Sequence, residues 1–87
     1  MMLGRVTGTV TATVKAAPLT GVTLLLFEMI DGAGKTLTGG LVAADTCGAG
    51  KGDTVLVTQG SAARMAQGLS TAPVDLAIVA VVDHVDA

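Results

Sequence analysis

From residue 3 to residue 15 the chain alternates. Gly4, Val6, Gly8, Val10, Ala12 and Val14 fall on one side, and Arg5, Thr7, Thr9, Thr11, Thr13 and Lys15 on the other. A period of two, rich in β-branched residues, predicts a strand with one covered and one wet face. Ala16 to Gly21 breaks the pattern, because Pro18 fixes φ and Gly21 tolerates a turn. Val22 to Ile30 predicts a second strand of a different kind. Val22, Leu24, Leu26 and Ile30 share one side, while Leu25, Phe27 and Met29 share the other. With both sides apolar, one would meet the core and the other a neighbour.

Asp31-Gly32-Ala33-Gly34-Lys35 is a turn of the Asp-Gly type. Thr36 to Thr46 continues as a strand weakened by Gly39 and Gly40, and Cys47 to Gly52 forms a second glycine-rich loop. Asp53 to Gln59 predicts a short strand around Val55, Leu56 and Val57. A helix of two turns at most follows Gly60, with Ser61 as N-cap, Ala62 to Gln67 as helix formers and Gly68 at its close. Leu69 to Val74 is a loop, and Asp75 to Val85 a last strand, again apolar on both sides. Five short strands with one short helix before the last predict an all-β fold: a small OB-like barrel, with residues 1–87 as one domain.

Composition adds the assembly question. The chain is 51% hydrophobic and only 14% charged, where about 25% is average for soluble domains. So small a monomer has too little polar cover for its surface, and the cheapest partner for the excess is another copy of the same chain. The longest apolar runs, Leu24 to Phe27 and Leu76 to Val82, fall short of the ~20 residues that span a bilayer, so no membrane association is expected. No leader is expected from Met1 to Thr7, and the single Cys47 fits a reducing compartment, so a cytoplasmic protein is expected. A net charge of −2, no Trp, no Tyr and a single Phe27 argue against a nucleic-acid surface.

The candidate chemistry is thin. Gly32-Ala33-Gly34-Lys35-Thr36 imitates the end of a P-loop, but Met29 stands where the first glycine belongs, and Leu37 to Val42 would make a poor helix. Gly48-Ala49-Gly50-Lys51-Gly52 fails too, since Gly52 replaces the magnesium-holding hydroxyl residue. Both read as turns. One Cys and one His are too few for a zinc site in one chain. Asp83, His84 and Asp86 read as solvated charges at the end of the last strand. Ser61 is explained as a helix cap, and Gln59 breaks the glycine pattern of a nucleophile elbow. No catalytic, cofactor-binding or metal-binding residue is expected.

Several segments carry a resemblance. Leu3-Gly4-Arg5-Val6-x-Gly8-Thr9-Val10, Leu24-Leu25-Leu26 and Ala44-Asp45-x-x-Gly48-Ala49-Gly50-x-Gly52-Asp53-x-Val55-Leu56-Val57 are joined by Gly60-Ser61-Ala62-Ala63-Arg64 and Pro73-Val74-Asp75-x-Ala77-Ile78-Val79-x-x-Val82-Asp83. Together they resemble the EutN/CcmL family of bacterial microcompartment vertex proteins over nearly the whole chain. One departure is Cys47, where the family usually carries an aliphatic residue. The resemblance implies an OB-like barrel assembled as a cyclic homopentamer. Such pentamers close the vertices of a polyhedral shell tiled by hexameric shell proteins around enzymes, a geometric rather than catalytic function.

In a ring each subunit uses two different patches, which is where the doubly apolar strands could go. The expected interface is Leu25, Phe27, Val79 and Val81, with Arg64 as a polar anchor; Phe27→Asp would then leave a monomeric or aggregated chain. The resemblance further implies that Gly48, Ala49 and Gly50 lie near the five-fold axis, where small residues let backbones approach. Two other readings stay open: a nucleic-acid-binding OB domain, and an enzyme whose site is built across subunits.

Overall fold

Five strands close into a barrel in the order β1-β2-β3-β5-β4: β1 (Met2–Val10), β2 (Thr23–Ile30), β3 (Thr36–Asp45), β4 (Thr54–Gln59) and β5 (Leu76–Val81). The computed structural model describes residues 1–66, 68–69 and 72–86. All neighbouring strands run antiparallel except β3 and β5, which are parallel and paired through Ala44↔Ala77 and Asp45↔Ile78. The expected small β-barrel is the observed one.

The outermost strands are shorter than their sequence patterns. Alternation runs to Lys15, yet β1 ends at Val10, opposite Leu24 near the start of β2. Alternation shows what a pairing partner would find, and here the partner strand runs out. The last strand stops at Val81 for the same reason: the Val82 amide donates to the Thr54 carbonyl at 2.8 Å, and β4 begins there.

The predicted helix is a 3-10 helix, Gly60–Met65, with Ser61 inside it and no side-chain cap. Its entry is fixed instead by backbone: the Gly60 amide donates to the Asp75 carbonyl at 2.8 Å. The exit repeats short i to i+3 bonds, Ala66 to Ala63 and Leu69 to Ala66. Gly68, with φ +82°, does not close the helix as expected: the helix ends at Met65 with Ala66 extended after it, two residues earlier.

The wall separates two apolar clusters. Val6, Leu25, Phe27, Ala43, Val55, Val57 and Ile78 fill the barrel. Outside it, Ala63, Leu69, Ala72 and Val74 from the 60–75 segment pack on Ala44 and Ala77, with Leu24 and Val79 half-buried against them. Much of the apolar outer side of β5 is therefore covered by the chain's own segment.

One irregularity redirects β1. Val6 lies opposite Phe27, but Gly8, two residues on, lies opposite Leu26, only one residue away. Thr7 is the extra residue of a β-bulge, and its hydroxyl donates to the Leu26 carbonyl at 3.3 Å. Residues directly opposite in a ladder share a face. Gly4 and Val6 therefore face the interior as the alternation predicts, whereas Gly8 and Val10 turn out to the wall beside Leu26 and Leu24. A Cβ built on Gly8 would find Leu26 Cδ2 as its nearest neighbour, at 4.0 Å.

Candidate assembly surface

The two glycine loops are turns held by aspartates. The Asp31 carboxylate accepts the amides of Ala33 and Lys35, both at 2.9 Å. Asp45 accepts from Cys47 at 3.1 Å and Ala49 at 3.0 Å, while Asp53 accepts from Gly50 at 2.8 Å. These amides are spent on the protein's own carboxylates, which is the opposite of a phosphate cradle. The loop is also tied to β1, through Gly52 N–H to the Val6 carbonyl and Val6 N–H to the Asp53 carbonyl. Ala49 packs half-buried against the barrel core, and Gly48 and Gly50 stand exposed beside it.

Partial burial, then the nearby Asp45 carboxylate, pushes the Cys47 thiol above its ordinary pKa. That lowers the thiolate fraction of an exposed cysteine and works against a nucleophilic role. His84 Nε2 lies 3.5 Å from Asp86 Oδ2, both well exposed. Among the described residues, no three His, Cys, Asp or Glu side chains gather as a metal site.

The expected interface residues divide. Leu25 and Phe27 are 2% and 0% exposed within a single chain, inside the barrel. This corrects their assignment to an interface: a side chain enclosed by its own barrel has no surface left to offer. Val79 bulges from β5 and is half-buried on the outer cluster. Val81 is 42% exposed and Arg64 is exposed, without hydrogen bond or ion pair among the described residues.

The wall carries apolar rows that the sequence reading did not single out. Opposite partners align Leu3, Leu56 and Ala80 across β1, β4 and β5, all half-buried. Beyond the bulge they align Gly8, Leu26 and Val42 across β1, β2 and β3, with Val10 and Leu24 in the next row. Between these two patches runs a polar row. Arg5 sits opposite both Glu28 and Thr54, and its guanidinium donates to Glu28 Oε1 at 3.1 Å and to the Gly34 carbonyl at 3.2 Å. The signal for these rows was the second apolar face of Val22 to Ile30. The bulge, which has no signature in the alternation, hid the β1 contribution.

The model of the family described as ethanolamine utilisation protein EutN/carboxysome matches residues 1–83. The chain belongs to the EutN/CcmL family. It is 44% identical over 85 residues to the carboxysome shell vertex protein CcmL of Gloeobacter violaceus, covering 98% of this chain and 85% of that one. It is likewise 44% identical to the microcompartment shell vertex protein EutN of Escherichia coli, covering 98% and 90%. Among solved structures, the GrpN pentameric microcompartment shell protein of Rhodospirillum rubrum superposes with a TM-score of 0.90 at 38% identity, covering 100% of this chain and 99% of that one. These EutN/CcmL relatives are named for structure and place in a shell.

Proposed function

We propose that this chain is a shell vertex protein of a bacterial microcompartment, working as a pentamer and not as an enzyme. The observation that carries the reading is the full-length match, in sequence and fold, to proteins named for that position. A closed shell cannot be made from six-fold tiles alone. Five-fold points supply the curvature, and a small rigid barrel repeated in a ring provides one. Hexameric shell proteins are the neighbours such a vertex meets. The aspartate-tied Gly48–Gly50 loop lies toward the five-fold axis in this reading, and Val81 and Arg64 toward adjoining subunits. Chemically silent loops suit this role, since nothing at the vertex has to turn over.

The test is solution mass by light scattering after size exclusion, followed by co-expression with hexameric shell proteins. A single species of five 8.5 kDa chains, and closed polyhedra by electron microscopy only when this chain is present, are the expected results. A monomer, or polyhedra that close equally well without it, would overturn the proposal.

A further inference from the structure

A cyclic ring joins unlike surfaces: each subunit offers one patch forward and a different patch backward. The wall of this barrel has two such patches. One is Leu3, Leu56 and Ala80, centred on the seam of β1 and β4; the other is Gly8, Val10, Leu24, Leu26 and Val42, centred on the seam of β2 and β3. They differ in shape as well as composition. The first is a short row of three half-buried side chains. The second borders a hollow of about 240 Å³ lined by Leu19, Leu24, Val42 and Pro73, among others.

We infer that the wall at Leu26 and Val42 of one copy packs against the wall at Leu3, Leu56 and Ala80 of the next. The inference rests on the pentameric reading above and specifies its contact. Three observations support a second copy as the occupant. Val42 remains 40% exposed in the isolated chain, although it sits mid-strand in a row of apolar partners. The Arg5–Glu28 pair is satisfied within the chain, so the strip between the patches asks for no partner charge. Area also fits. Standard contacts cover about 800 Å² per partner, so two would occupy about a third of the 5088 Å² that this chain exposes. That is an appropriate share for a chain with so little charge.

The experiment compares the intact protein with three single variants by size exclusion with light scattering, each checked for folding by circular dichroism. Val42→Glu and Leu56→Glu place a carboxylate on one wall each and are expected to lower the mass fivefold. Should Leu56→Glu fail to fold, Ala80→Arg burdens the same row without removing a packed side chain and carries the same expectation. Leu37→Glu changes an exposed apolar residue on neither wall, 55% exposed, and is expected to remain pentameric. A folded Val42→Glu or Ala80→Arg chain that keeps the parent mass overturns the wall assignment while leaving the pentamer standing. Dissociation of Leu37→Glu overturns it by moving the contact to the β2–β3 hairpin. An unmodified protein that is already monomeric overturns the pentameric reading itself.

Discussion

A Cβ on Gly4 would stand 2.7 Å from Cδ2 of Phe27. Gly4 is paired with Met29 and Val55, two residues along the ladder from the Val6–Phe27 pair, and the aromatic ring lies across it. The only aromatic residue in the chain thus occupies the space a side chain at position 4 would take. Gly4→Ala should destabilise the barrel by about 1–3 kcal/mol through overpacking, read as a lower urea midpoint at unchanged slope. A midpoint at or above the parent's would show that the ring moves aside freely.

Phe27 itself belongs to folding and not to assembly. Truncation to Ala should cost about 3–5 kcal/mol, and Phe27→Asp should leave an unfolded or aggregated chain because a carboxylate would be buried unpaired. Circular dichroism separates this from an assembly defect. A well-folded, soluble Phe27→Asp monomer would return Phe27 to the interface.

How far the fold was legible follows from these residues. Alternation around Leu25 and Phe27, the turn chemistry of Asp31 to Lys35 and the glycine punctuation located five strands near their observed places. What pattern alone left open was which apolar face of β2 turns inward, since Leu24 and Leu26 look no different from Leu25 and Phe27. The deciding fact is long-range: Ala63, Leu69, Ala72 and Val74 pack over Ala44 and Ala77 and claim outer surface that composition alone would assign to a partner. The 3-10 geometry was likewise hidden, because Ser61 is a good cap by type yet makes no capping bond here.

The loop at residues 45–53 gives a pH-dependent prediction. With its pKa raised, the Cys47 thiol should alkylate more slowly near pH 8 than a free cysteine, and the rate should climb as pH passes above the usual thiol range. Asp45→Asn removes the neighbouring charge and should speed the reaction at fixed pH. Iodoacetamide kinetics followed by mass spectrometry decide it; an unchanged rate in Asp45→Asn would show that burial alone sets the reactivity.

Arg5 and Glu28 form an ion pair with side chains 36% and 23% exposed. Such a pair is worth no more than about 1 kcal/mol. Glu28→Gln should therefore shift the urea midpoint only slightly and leave the oligomer mass unchanged. A large loss of stability would mean that Arg5, deprived of Glu28, also releases the Gly34 carbonyl and the hairpin turn it anchors.

The bulge at Thr7 works like a frameshift in a two-letter code. Upstream of it, even-numbered residues of β1 are written for the interior; downstream, the same even positions are written for the outside. One extra residue thus lets a nine-residue strand address two audiences, its own core and the outer wall of the barrel. Pairing Thr7 regularly opposite Leu26, with no residue left over, would restore the unbroken rhythm and carry Gly8 and Val10 inward. The outer wall would then lose its β1 contribution beside Leu26 and Leu24.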